Sequence, residues 1–368
     1  MRLFFIIASQ FLSGSIWFAA NVAYQGQGIL LSAVQAGFIC GTLVFAALNL
    51  SDRFSPAKVF FICSLMGAVF NFSGIFLSAH IPVLLITRVI CGISLAGIYP
   101  VGMKIAASWY PGTVSKALGW LVGALVLAAG FPYLIRALDL QGIGQTILVV
   151  TSVLCAAGGM VQFFLVKDGP YLPRATHLDL TVIRGVFRHP GFRASAFGYF
   201  GHMWELYAVF AYVPSLIAAL VDSHAAALSF AFFVAGFMGC AAGGVIALRT
   251  GSRRVALASL FISGALCLIS PLLFYLPVWA ALILIMIWGV AVVADSPQFS
   301  TLNALFAPSD YVGSALTIVN CIGFLITIVT IELLDVWIRT MGIKTAFLPL
   351  VFGPVFGWVS LKKYRGKE

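Results

Sequence analysis

Residues 92–111, GISLAGIYPVGMKIAASWYP, and residues 289–308, GVAVVADSPQFSTLNALFAP, share one spacing at an offset of 197 residues. Each has a glycine, a proline eight residues on and a second proline eleven beyond it: Gly92, Pro100 and Pro111, then Gly289, Pro297 and Pro308. A second echo, Gly14-x-x-Trp17 against Gly201-x-x-Trp204, lies at an offset of 187 residues. Together they predict a chain made of two related halves. The copies differ where charge is concerned, since Asp295 stands opposite Ile98 and Glu205 opposite Phe18.

Both echoes lie in apolar surroundings, as does most of the chain. Of 368 residues 62% are hydrophobic and 9% charged, with a mean hydropathy of +1.07, which excludes an ordinary water-soluble domain. The net charge of +10 does not point to nucleic acid, because the basic residues form no long tract with aromatics between them. Cys40, Cys63, Cys91, Cys155, Cys240, Cys267 and Cys321 all sit in apolar stretches, without the close pairing that zinc or thiol exchange needs. They are expected to be small hydrophobes. The N-terminal stretch opens with Arg2 and an apolar run, like a signal peptide, but the run is too long and no small-residue cleavage site follows. It reads as the first spanning helix.

A helix crosses roughly 30 Å of hydrocarbon in about 20 residues. Apolar blocks of that size fall at residues 4–24, 30–50, 58–79, 83–107, 116–138 and 144–166, then at 195–219, 225–248, 255–276, 278–302, 311–334 and 342–361. The predicted fold is therefore an all-α membrane protein, with twelve transmembrane helices in two pseudo-symmetric six-helix bundles. The bundles are residues 1–166 and residues 195–368, the second ending in a short basic tail, joined by a linker at 167–194. The linker carries Lys167, Arg174, Arg184, Arg188 and Arg193; placed in the cytoplasm, it shares that side with Arg53, Lys58, Lys116, Arg249, Arg253, Arg254 and the tail's Lys362, Lys363, Arg365 and Lys367. The opposite connections carry only Arg339 and Lys344, with Arg136 near a helix end, so both termini are expected inside. Leu180–Phe187 is mildly amphipathic and reads either as a short surface helix or as extended linker. Glycines such as Gly123, Gly130 and Gly236-x-x-Gly239-x-x-x-Gly243 suit close helix contact.

In this layout the chain resembles the major facilitator superfamily, whose members join two six-helix bundles by a cytoplasmic loop. The family's loop after the second helix carries Gly-x-x-x-Asp-Arg/Lys-x-Gly-Arg-Arg/Lys. Here Asp52, Arg53 and Lys58 keep the acid and the bases without the glycines, while Gly244, Arg249, Gly251, Arg253 and Arg254 keep the glycines and bases without the acid. Arg88 and Gly92 match the family's Arg-x-x-x-Gly pattern in the fourth helix, and Gly123, Gly130 and Pro132 resemble its Gly-Pro motif in the fifth. The compact length and Arg88 also resemble bacterial nitrate/nitrite or cyanate-type porters. The resemblance implies alternating access by a secondary transporter.

A charge at mid-membrane costs several kcal/mol, so it faces the bundle interior and often has a task. Glu205 falls near the middle of the seventh span with His202 three residues before it, and the pair reads either as a proton carrier or as a brace between helices. Arg88 shares a helical stripe with Leu95, Tyr99 and Gly102 and is expected to line the pathway, attracting an anion or facing an acid such as Glu205. Asp295, two residues before Pro297, reads either as a proton or inner-gate site or as a helix-end carboxylate reaching water. Lys104 is expected to snorkel or brace a gate, with Asp52, Arg53, Arg249 and Arg253 exchanging ion pairs on the inner face. Trp17 and Asn21, extended by Gln10 and Gln25, and opposite them Trp204 and Tyr207, form stripes suited to a central cavity. Asn320 and Thr327 add another stripe, and Glu332 and Asp335 an outer mouth.

The expected function is secondary active transport of a small polar or anionic solute, coupled to protons through Glu205, His202 and Asp295. Two alternatives stand: efflux of amphipathic compounds, and a transporter-like receptor or scaffold that moves nothing. No nucleotide-binding loop appears, which argues against an ATP-driven pump; no enzyme activity, metal or cofactor is expected. The expected partners are the solute, protons and membrane lipids, with a monomer as the working form in a bacterial cytoplasmic (inner) membrane.

Overall fold

The computed structural model describes residues 1–25, 28–77, 80–138, 141–172, 183–308 and 312–364, and of Asp52, Ser115, Ile183 and Arg184 the backbone alone. The described residues hold helices and turns and no strand. A chain in hydrocarbon must satisfy its backbone N–H and C=O groups within each spanning segment, which the helix does. In chain order the helices are α1 Arg2–Gly14, α2 Ala19–Ala23, α3 Gly28–Ala47, α4 Leu50–Arg53, α5 Pro56–Leu77, α6 Ile81–Trp109, α7 Val114–Arg136 and α8 Ile143–Val161. After the linker's α9, Ile183–Val186, come α10 Pro190–Leu220, α11 Ala225–Thr250, α12 Ser252–Ile269, α13 Val278–Ala294, α14 Ser296–Phe306, α15 Val312–Met341 and α16 Phe352–Lys363. The chain divides into two compact units, Met1–His177 and Leu178–Glu368.

Eleven of the described segments are long and apolar enough to cross a membrane. The expected first span is the exception, because 4–24 is not one helix: α1 stops at Gly14 and α2 starts at Ala19. Ser15 Oγ donates to the Leu12 carbonyl at 2.8 Å, and Trp17 N–H and Ala19 N–H bond three residues back, to Gly14 and Ile16. Serine hydroxyls that compete for backbone carbonyls beside a glycine favour such a tight turn over continued helix. The expected span at 342–361 also departs from a single helix, opening with two 3₁₀ turns, Ile343–Thr345 and Leu348–Val351, before α16. Of the amphipathic segment Leu180–Phe187, residues 183–186 are helical and residues 180–182 lie outside the described residues.

The glycines of the opening echo mark the same kind of approach in each unit. A side chain on Gly92 of α6 would overlap the Val34 carbonyl of α3 and come within 2.7 Å of the Phe38 nitrogen. On Gly289 of α13 it would come within 2.7 Å of the Phe232 carbonyl of α11. Bare backbone at these positions lets helices pack closely where lipid supplies no hydrophobic drive. The prolines diverge. Pro100 lies inside the continuous α6, whereas Pro297 lies just past the break between α13 and α14, with Asp295 at the junction. Pro297 has no N–H to offer the Val293 carbonyl, which accepts from the Asp295 N–H and from Cys240 Sγ at 3.1 Å instead. Outward side chains such as Ile62, Val69, Phe76, Phe261 and Leu268 are exposed, as lipid-facing residues are.

Candidate functional site

In the second unit, the middle of α10 holds two ionisable side chains that face different neighbours. Residues three apart on a helix are displaced by about 60° around its axis, enough to address separate helices. His202 Nδ1 lies 3.0 Å from Asp295 Oδ1, and its Nε2 lies 2.7 Å from Ser296 Oγ, both at the α13–α14 break. Glu205 turns to α12, where its Oε2 accepts from Ser263 Oγ at 2.7 Å and Cys267 Sγ at 3.5 Å. Trp288 Nε1 of α13 donates to the same Ser263 oxygen at 3.1 Å, fixing the hydroxyl so that its proton points to the carboxylate. His202 and Glu205 are 0% exposed and Asp295 1%.

The expected sharing of a proton directly between Glu205 and His202 is therefore not what the geometry offers. His202 is the partner of Asp295, and Asp295 does not reach water. The Nδ1–Oδ1 contact is close enough for an ion pair but is not aligned as a hydrogen bond, so the ring's one hydrogen bond among the described residues is at Nε2 with Ser296 Oγ, accepting or donating as the tautomer dictates. Glu205 has no cation within ion-pair distance among the described residues, and its Oε1 is buried without a hydrogen-bond partner.

In the first unit the buried charge is positive. Arg88 of α6 is 0% exposed, and its guanidinium donates to Asn71 Oδ1 at 2.9 Å, the Phe70 carbonyl at 2.9 Å and Thr87 Oγ1 at 3.3 Å. Asn71 in turn donates to the Leu148 carbonyl, Thr151 Oγ1 and Ser152 Oγ of α8 at 3.2, 3.0 and 2.9 Å. Arg88 is thus the end of a polar brace through α5, α6 and α8, and no carboxylate among the described residues pairs with it. Lys104 Nζ reaches the carbonyl of Ser51 at 2.9 Å, tying α6 to the turn of α4.

Trp17, in the break between α1 and α2, meets Tyr99 of α6 with ring centres 6.4 Å apart, and Asn21 is buried one turn further on. Trp204 donates from Nε1 to the Pro349 carbonyl at 3.1 Å, while Tyr207 packs on Phe324 at 5.4 Å, so these two occupy different surroundings. Asn320 is half-buried on α15. Of the expected gate, Arg53 and Arg249 are exposed without an ion pair among the described residues, and the Asp52 side chain lies outside them. Arg253 instead donates to the carbonyls of Leu361 and Lys362, each at 3.2 Å, and to that of Tyr364, holding the end of α16. Asp335 pairs with Arg339 at 2.6 Å and takes a bond from the Tyr212 hydroxyl at 3.4 Å.

The sequence reading passed over Asn71, Ser263 and Trp288. An asparagine amid the apolar residues of α5 was a visible signal; a serine or tryptophan in such a run was not. Among the described residues no cluster of His, Cys, Asp and Glu is arranged to hold a metal.

Residues 2–331 match the profile of the Major Facilitator Superfamily. The fold is similar to the crystal structure of the human organic anion transporter MFSD10 (TETRAN), with a TM-score of 0.74 at 14% identity over 98% of each chain. It is similar also to a Major Facilitator Superfamily transporter, FucP, in the outward conformation, with a TM-score of 0.69 at 14% identity over 100% of this chain and 99% of that one. No curated protein matches in sequence. Neither the profile nor these structures point to the nitrate/nitrite or cyanate porters.

Proposed function

We propose that this chain, which belongs to the Major Facilitator Superfamily and so moves a solute across a membrane by secondary active transport, couples that movement to protons through the second unit's buried acids. Glu205 supports this above any other residue. It sits midway along α10, fully buried, facing hydroxyl and thiol donors but no cation, with one oxygen unpaired. A buried charge without a partner is costly, and a proton is the smallest group that can neutralise it. The His202–Asp295 pair is a second place for a proton, set at a helix break that can change shape between inward and outward states.

The solute is small and polar. An anion of the kind named for MFSD10 would need a cation to meet it, yet each of Arg88's three nitrogens already donates within the first unit, to Asn71, Phe70 and Thr87. The exposed basic residues Arg53, Lys58, Lys116, Arg249 and Arg254 support an orientation with both termini in the cytoplasm of a bacterial cell. Lipid contact and a monomeric working form complete the proposal.

Uptake into liposomes holding the purified protein, with and without an inward proton gradient, tests the coupling. The gradient is expected to drive accumulation, and Glu205→Gln to abolish that response while leaving downhill exchange. Accumulation that ignores the gradient, or is unchanged in Glu205→Gln, sinks the assignment.

A further inference from the structure

The break in the first span brings aromatic rings together beside buried carboxamides. Trp17 lies against Phe38 of α3 at 5.2 Å and Tyr99 of α6 at 6.4 Å, and Phe38 and Tyr99 are 6.5 Å apart, so three rings from three segments converge. Three carboxamides flank them. Gln10 of α1 abuts Gly102, one helical turn beyond Tyr99; Gln35 lies one turn before Phe38; and Asn21 follows Trp17 by four residues. Gln10 and Gln35 are 0% exposed and Asn21 3%.

Neither the oxygen nor the nitrogen of Gln10 or Gln35 has a hydrogen-bond partner among the described residues, and nor has Asn21 Oδ1. Each buried polar group left so costs about 1–3 kcal/mol, and folded proteins pair more than about 90% of them. Five such atoms around one ring cluster are a loss that a bound molecule can make good.

We infer that Gln10, Asn21 and Gln35, with the rings of Trp17, Phe38 and Tyr99, form the first unit's solute-binding face, and that it takes an uncharged ring carrying hydrogen-bond donors beside acceptors. This rests on the chain being a solute transporter, and it names the class of solute. Three unpaired carboxamide oxygens require donors, which an inorganic anion or a carboxylate lacks. Two unpaired carboxamide nitrogens require acceptors, which an ammonium lacks. Neighbouring hydroxyls of a sugar ring, or the edge of a nucleobase, supply both, and either ring has a face to lay on an aromatic side chain.

The test is counterflow exchange in liposomes holding the full chain, which needs no proton gradient and so reads the solute class whether or not Glu205 couples transport to protons. The probes are D-glucose and D-galactose, uridine and adenosine, nitrate and succinate, and tetraphenylphosphonium. Exchange of a sugar or a nucleoside is expected, and which of the two exchanges identifies the ring. Gln10→Leu and Gln35→Leu are each expected to weaken its apparent affinity at least tenfold while the melting midpoint holds or rises, because each removes unpaired buried groups at nearly constant volume. A glutamine that merely braced the fold would lower the midpoint when replaced. Gln10→Met and Gln35→Met serve if a leucine variant does not fold. Exchange of none of the neutral rings, exchange confined to the anions or to tetraphenylphosphonium, or ring exchange unchanged in these variants overturns the assignment.

Discussion

Replacing Arg88 separates a structural arginine from a solute-binding one. Its guanidinium makes two close bonds, to Asn71 Oδ1 and to the Phe70 carbonyl, each at 2.9 Å. The Phe70 carbonyl also accepts from Ser73 Oγ at 2.8 Å, so Arg88→Met strands chiefly the Asn71 oxygen. Stripping one buried acceptor of its donor costs about 1–3 kcal/mol. Losing a link to α8 through Asn71 adds to that, while removing an uncompensated buried charge offsets part of it. A net loss of about 1–3 kcal/mol corresponds to a fall in melting midpoint of several degrees, at roughly 2–4 °C per kcal/mol for a unit of this size. Arg88→Lys should recover only part of this loss, because one ammonium cannot reproduce the two-pronged geometry. The assay is thermal melting in detergent followed by size exclusion, with a double-mutant cycle against Asn71→Leu. A coupling of about 1–2 kcal/mol is expected, within and slightly above the range measured for hydrogen bonds between membrane helices. An Arg88→Met protein that melts normally but no longer transports would refute the brace and return Arg88 to the solute.

Three further outcomes follow from the packing. Gly92→Ala should lower the melting midpoint more than Gly289→Ala, since its methyl overlaps a carbonyl and sits 2.7 Å from a nitrogen whereas at 289 the nearest atom is 2.7 Å away; Gly112→Ala, with nothing within 4 Å, is the neutral control. Overpacking of this kind costs about 1–3 kcal/mol, and equal midpoints for all three would contradict it. Pro297→Ala restores an N–H that can reach the Val293 carbonyl in place of the Cys240 thiol, so it should raise the midpoint slightly and slow exchange; faster exchange would count against a role for the break. Arg253→Ala frees the carbonyls of Leu361, Lys362 and Tyr364, and should speed limited proteolysis of the C-terminal tail several-fold without altering solute affinity.

How much of the site was legible varied residue by residue. Glu205, Asp295 and Arg88 stood out because a charge amid apolar residues is visible in one dimension, and Trp17 because Gly14-x-x-Trp17 is echoed by Gly201-x-x-Trp204. Their partners did not stand out. Ser263 is 58 residues from Glu205, and Asp295 is 93 from His202, in helices whose rotation no local pattern fixes. The all-round apolar helices here give almost no amphipathic signal, so which face turns inward is set by contacts such as Gly92 on Val34. The break at residues 15–18 was signalled only by Ser13-Gly14-Ser15, small residues that unbroken spanning helices also carry at their contacts.

The sequence by itself determined the solvent, the helical class and the repeat: hydropathy and residue spacing are properties of the chain read in order, and a bilayer admits few ways of burying a backbone. Tertiary structure alone decided that the echo's two prolines differ in effect, that His202 belongs to Asp295 and Glu205 to Ser263, and that Arg88 is bound to Asn71. Those pairings depend on which distant helix lies against each face, and a rotation of about 60° changes the partner.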